Sequence, residues 1–306
     1  MNKRNRKLVI FIVIILIIAA AFGFWWFFIK DKYNLPIIGN QKHSSVGTTD
    51  ISALKKWSAN GSLIVSVDNE IQYLSLQDAS ATAKKIGAKS YSLATSSDGQ
   101  FLYLSQDNKL KLKTNSGDKT ITDENPYNPL PVISPDGKNM IVISFSNAET
   151  DYGYIIQLFS TSNNYVSDVA NVQKNVTSVT WLNDSEILYA IVDENGSEIY
   201  SSKTDGKDNK KVASINGFIK NISTANEIII VSAAQKIDSD RTSILQIEGS
   251  DAKELIADNI HKDIHLSPDG KIIAYINENN NLTAYDISSK ENAESEKVGH
   301  IIGWYK

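Results

Sequence analysis

The chain has 306 residues, 42% of them apolar and 22% charged, a composition typical of one large or two ordinary globular domains. It has no cysteine, which excludes a disulfide framework, a thiolate metal site, a cysteine nucleophile and a lipid-modified N-terminal cysteine. Residues 1–30 hold five basic residues and no acid, leaving 26 basic against 35 acidic residues beyond them, with Arg241 the only arginine there, so nucleic acid is not an expected partner of the main domain.

Lys3, Arg4, Arg6 and Lys7 form a short basic tail, residues 1–7, expected to be cytoplasmic. Residues 8–29, LVIFIVIILIIAAAFGFWWFFI, are 22 residues without a charge. As a helix they span roughly 33 Å, the thickness of a hydrocarbon core. The basic flank predicts a single-pass signal anchor with the N-terminus inside the plasma membrane and the remainder outside, in a bacterial cell envelope. Trp25 and Trp26 suit the outer interfacial belt. The rival reading is a cleaved signal peptide using the small residues Ala19, Ala20 and Ala21, but apolar residues run on well past them. Residues 30–50, with Pro36, Gly39, Gly47 and several Ser and Thr, lack a sustained period and read as a flexible tether.

Beyond residue 50 one pattern recurs. WSANGSLIVS, TSSDGQFLYL, ISPDGKNMIV, WLNDSEILYA, ISTANEIIIV and LSPDGKIIAY begin at residues 57, 95, 133, 181, 222 and 266. The spacing of 38 to 48 residues brackets the roughly 40–45 residues of a propeller blade. Each copy is a turn followed by an apolar strand. In Ser134-Pro135-Asp136-Gly137 and Ser267-Pro268-Asp269-Gly270, Ser opens the turn, Pro presets φ, Asp bonds its own backbone and Gly closes it. Loose copies of a turn keep turn chemistry, whereas loose copies of a catalytic loop would lose theirs, so these residues are expected to be structural. Further alternating runs follow in each unit, such as EILYAIV, SEIYSSK and KKVASI, separated at Asp193-Glu194-Asn195-Gly196 and Asp205-Gly206. They predict hairpins, and hence about four antiparallel strands per unit. No segment after residue 29 shows a helical period.

The motifs at Ser134–Lys138 and Ser267–Lys271, with Trp181 and the Ile187-Leu188-Tyr189 run, resemble the WD40-like Asp-Gly repeats of TolB-type propellers and of the dipeptidyl peptidase IV N-terminal propeller. The resemblance covers residues 51–306 and implies an all-β, six-bladed β-propeller, without the α/β domain of TolB or the hydrolase domain of the peptidases. The final run EKVGHIIGWYK matches the start of another unit, and Trp304 takes the place of Trp57 and Trp181. It is expected to supply one strand that closes the ring against the first blade. A seventh blade drawing on residues 31–50 is the alternative.

For function, the three tryptophans Trp57, Trp181 and Trp304 read as packing between blades. His261 and His265, on one strand, would stand about 13 Å apart, too far to share a metal. His43 lies in the tether, and His300 completes the set of four. No hydrolase, phosphate-loop, dinucleotide or zincin motif is present, and no cofactor is expected. Six Asn-x-Ser/Thr sequons, at Asn60, Asn175, Asn183, Asn195, Asn221 and Asn281, matter only in a glycosylating pathway. Residues 146–154, SNAETDYGY, and 235–242, QKIDSDRT, read as long hairpin-tip loops, with Tyr152, Tyr154, Asp238, Asp240 and Arg241 as candidate contact residues. The expected role is a binding or scaffold module for a protein or cell-envelope ligand, not an enzyme. The alternatives are a lyase, lactonase or glycan hydrolase using channel carboxylates, and a sensor or assembly subunit of a membrane complex.

Overall fold

The computed structural model describes residues 62–67, 70–75, 84–85, 91–95, 101–104, 109–114, 117–122, 131–148, 151–162 and 164–305. The expected anchor, the tether and Trp57 lie outside the described residues, among which no helix is long and apolar enough to cross a membrane.

The described chain is all strand and turn, in six four-stranded antiparallel sheets. Sheet 1 holds β1 (Ser62–Val67), β2 (Glu70–Ser75) and β3 (Lys84–Lys85). Sheet 2 holds β4 (Tyr91–Thr95), β5 (Phe101–Leu104), β6 (Leu110–Thr114) and β7 (Gly117–Thr122). Sheet 3 holds β8 (Val132–Ile133), β9 (Asn139–Ala148), β10 (Asp151–Ser160) and β11 (Asn164–Val172). Sheet 4 holds β12 (Asn175–Asn183), β13 (Glu186–Asp193), β14 (Gly196–Lys203) and β15 (Lys210–Ile215). Sheet 5 holds β16 (Phe218–Ala225), β17 (Ile228–Ala234), β18 (Arg241–Glu248) and β19 (Asp251–Ile260). Sheet 6 holds β20 (Lys262–Leu266), β21 (Ile272–Ile276), β22 (Asn281–Asp286) and β23 (Asn292–Lys297). The last strand, β24 (His300–Tyr305), returns to sheet 1 and pairs with β1, Leu63 opposite Trp304 and Ser66 opposite His300. The first strands of the sheets touch in succession, β4 to β8, β12, β16, β20 and β24, and β24 touches β4 again.

The second strands of sheets 4 and 6 are apolar without alternation because both of their faces are buried. In β13, Ile187, Tyr189 and Ile191 face a core shared with sheet 3, while Leu188 and Ala190 face one shared with sheet 5. In β21, Ile272, Ala274 and Ile276 pack toward sheet 1, while Ile273 and Tyr275 pack toward sheet 5. A two-residue period thus sorts a continuous apolar run into two inter-sheet cores. Five such cores are seen among the described residues, and each tryptophan described here caps one. Trp181 donates from Nε1 to the Val132 carbonyl at 3.2 Å, and Trp304 to that of His265 at 3.3 Å, each reaching the preceding first strand.

Because each sheet is an antiparallel meander with short connections, every first strand runs the same way. One end of the ring collects the turns between first and second strands and between third and fourth. The other end collects the second-to-third and fourth-to-first connections. Ser178, Ser223 and Asp263 stitch neighbouring first strands by accepting from the backbone N–H of Ile222, Leu266 and Ile301 at 3.0, 2.8 and 3.2 Å.

Candidate functional site

The end bearing the first-to-second turns is occupied by turn chemistry. Gly137 N–H donates to the Ser134 carbonyl at 2.9 Å, and Ser134 N–H to that of Asn139 at 2.8 Å. Ser134 Oγ donates to Asp136 Oδ1 at 2.7 Å and accepts from Asn139 N–H at 2.9 Å. Ser267 repeats the arrangement, donating to Asp269 Oδ1 at 2.7 Å and accepting from Ile272 N–H at 2.9 Å. Both serines are fully buried. Pro135 and Pro268 occupy the second position, and Gly137 and Gly270 take φ of +71° and +74°, where a Cβ is strained. Burial pushes the Asp136 carboxyl up, but hydrogen bonds from Ser134 and Lys138 outweigh it and hold the group below its usual range. Asp136 N–H also donates to Asp184 Oδ1 of the next sheet's turn at 3.0 Å. A carboxylate so engaged braces backbone.

The opposite end carries connections of unequal length. Residues 146–154 are not a long loop: β9 and β10 run through them as ten-residue strands, pairing Phe145 with Tyr154, Ser146 with Gly153 and Asn147 with Tyr152. The sequence concealed this because Ser, Asn, Ala and Gly are poor strand formers that cross-strand pairing overrides. Tyr154 is half-buried and packs edge-on to Phe145, centroids 5.6 Å apart. The side chain of Tyr152 lies outside the description. In sheet 5 the connection is 235–240, and Arg241 belongs to β18. Arg241 is no free contact: its Nε donates to Asp258 Oδ2 at 2.9 Å and its NH2 to the Asp258 carbonyl at 2.8 Å. Asp238 and Asp240 are exposed on that loop beside Ile237.

Between these two connections, sheet 4 turns tightly, with Asp193 opposite Gly196. A charge network lies there. Lys174 Nζ is 2.7 Å from Asp193 Oδ2, Lys211 Nζ is 3.1 Å from Glu198 Oε1, and Tyr200 OH donates to Glu198 Oε2 at 3.1 Å. The Lys174 contact holds Asp193 below its usual range, and the Lys211 contact does the same for Glu198.

The histidines are separated. His261 follows β19 and His265 lies on β20, so no single strand carries both, contrary to the sequence expectation; a register irregularity between Lys262 and His265 and a positive φ of 51° at Asp263 break the run. His261 Nδ1 lies 2.8 Å from the Thr242 carbonyl and its ring stands edge-on to Tyr275, whose phenol burial pushes up to about 12. Burial pushes both His261 and His265 down. The arrangement that the sequence did not expose is His300, on the closing strand, donating from Nδ1 to Asp263 Oδ2 at 2.9 Å with its side chain 67% exposed. That contact raises the His300 pKa. Among the described residues no three His, Asp or Glu gather as a metal site.

No family model and no curated protein matches the sequence. Solved structures do. TolB from Acinetobacter baumannii superimposes with a TM-score of 0.62 at 16% identity, covering 81% of this chain and 67% of its own. A chain of the nidogen/laminin complex gives 0.61 at 12% identity, covering 80% and 98%. An oligogalacturonate lyase in complex with manganese gives 0.51 at 9% identity, covering 73% and 69%. The fold is a TolB-like β-propeller. Identities this low carry the propeller architecture alone. They leave the roles of its two ends to be argued from this chain's residues.

Proposed function

We propose that the protein is a six-bladed, membrane-anchored propeller that binds a protein or cell-envelope ligand through the end bearing its second-to-third connections. Residues 8–29 would hold it in the plasma membrane with the propeller outside. The observation that carries this reading is how unlike one another the second-to-third connections are. At the first-to-second end, the Ser-Pro-Asp-Gly turns of sheets 3 and 6 are alike, and their side chains brace backbone. The opposite end varies from a two-residue turn in sheet 4 to a tall hairpin in sheet 3 and an exposed loop in sheet 5. Variation on a rigid scaffold is where recognition resides. The test is in-cell crosslinking of the full-length protein, with mass spectrometry of what is captured. A parallel chain would have 146–154 and 235–240 replaced by two-residue turns. One dominant partner, lost on replacement, supports the reading; no reproducible partner removes the protein-binding version.

A second reading, a propeller enzyme, rests on His300. Its imidazole is held through Nδ1 by Asp263 with Nε2 left over, the disposition of an oriented general base. Turnover of a glycan or lactone panel that His300→Gln abolishes would favour it over binding alone.

A further inference from the structure

We propose that β20 is a pH-sensitive seam: acidification frees this strand from sheets 5 and 1 and so opens the ring at its closing strand. This goes beyond the binding reading and does not depend on it.

β20 is held weakly by its own sheet. It meets β21 only at Lys262, His265 and Leu266, whereas β12 and β16 pair with their second strands from end to end. Between Lys262 and His265 the register breaks, and Asp263 stands at φ +51°, a conformation that costs a non-glycine residue energy. Side chains supply across the blade boundaries what this backbone ladder lacks. Toward sheet 5, His261, just ahead of the strand, is 8% exposed, with its Nδ1 2.8 Å from the Thr242 carbonyl. Toward sheet 1, the His265 ring hydrogen-bonds to the Ile301 backbone, and the His265 carbonyl accepts from Trp304 Nε1 at 3.3 Å. Asp263 Oδ2 accepts from His300 Nδ1 at 2.9 Å and from the Ile301 N–H at 3.2 Å. Three of the chain's four histidines therefore stand at this strand or at the strand it clasps. That clasped strand, β24, is the one that joins sheet 6 to sheet 1, so loosening β20 loosens closure.

The surroundings offer an added positive charge no partner. The titratable side chains on the strands packed against β20 are Lys220 of β16, Tyr275 of β21, and His300 and Tyr305 of β24. On β20 itself Lys262 is a like charge, and Arg241 and Asp258 act on His261 from β18 and β19. Neither nearby carboxylate is free: Asp258 is bound twice by Arg241, and Asp263 serves His300 and the Ile301 N–H. An imidazolium at His261 or His265 would lack a carboxylate of its own. Burial accordingly pushes both histidines below their ordinary value. A group depressed in this way gives its full stabilisation above the unfolded value near 6.5, and loses it as pH falls through the folded value. His300 works in the opposite sense, because Asp263 raises it, but its side chain is 67% exposed and water screens the pair. The two desolvated rings decide the sign, and the seam weakens in acid.

The test is native-state hydrogen exchange on the full chain in detergent micelles at pH 7.5 and pH 5.0, each peptide corrected for its intrinsic exchange rate. Protection in β20, β24 and β1 should fall at least tenfold more than protection in β12, β13 and β14. The double variant H261Q/H265Q should shrink that difference to less than threefold. If the double variant does not fold, the single variants H261Q and H265Q should each shrink it by at least half. If these fail as well, the wild-type profile decides. A loss that begins near pH 6.5 is expected, and one that begins only below about pH 4.5, where carboxylates take up protons, overturns the proposal. So does a fall shared equally by every sheet, or a tenfold difference that persists in the double variant.

Discussion

Trp304→Ala should destabilise the whole propeller, not only its last strand. Trp304 is 8% exposed and packs in the core shared by sheets 1 and 6, with Leu63, Val65, Ile272 and Ala274. Removing a buried Trp side chain costs about 3–5 kcal/mol. That is a large share of the roughly 5–15 kcal/mol that holds a typical domain together. The closing strand is covalently attached to sheet 6 but hydrogen-bonded to sheet 1, so its loss frees both edges of the ring at once. Urea unfolding at 25 °C, read by circular dichroism, should show a single transition with a midpoint lowered in proportion to that cost. Trp304→Phe keeps most of the packing and loses the donor to His265, and should cost about 1–2 kcal/mol. Hydrogen exchange should show reduced protection in β1 and β20 as well as β24. A Trp304→Ala cost below about 1 kcal/mol, or a loss of protection confined to β24, would refute the view that this strand locks the ring.

Other substitutions separate the remaining roles. Ser267→Ala leaves the Ile272 N–H and the Asp269 carboxylate without their buried hydroxyl and should cost about 1–3 kcal/mol by urea unfolding. Gly270→Ala places a Cβ 2.9 Å from Ile228 Cδ1 at φ +74°, and should lower the melting temperature more than Gly249→Ala, where φ is +66° but nothing lies within 4 Å. The His300–Asp263 contact raises the histidine's pKa in the folded state, so its stabilisation is full below the unfolded value near 6.5 and is lost as pH rises through the folded value. With the side chain two-thirds exposed this is worth under about 1 kcal/mol, and the urea midpoints of wild type and His300→Gln should converge between pH 6 and pH 9. Arg241→Ala breaks an exposed pair with Asp258 and should cost less than about 1 kcal/mol, with partner capture unchanged, because the guanidinium is already engaged.

The sequence determined a good deal by itself. The recurring Ser-Pro-Asp-Gly turn, the period near 40 residues and the apolar second strands are local or periodic signals. Each is fixed by φ preferences or by side-chain alternation, and neither requires knowledge of distant contacts. The closing strand was legible for the same reason, as one more copy of the unit at the end of the chain. What the tertiary structure decided lies between units. The 146–154 segment has weak strand propensity, and only pairing of β9 with β10 makes it a tall hairpin. The pairing of Arg241 with Asp258, brought alongside by β19, was likewise not written in the local sequence. His261 and His265 were separated by a break in the backbone that no propensity marks. His300 and Asp263 are 37 residues apart and meet only because β24 is the first strand of sheet 1, beside the first strand of sheet 6. A residue's place along its own strand is set by neighbours two positions away; its partner across a blade boundary is set by closure of the ring, and that distance is written only in three dimensions.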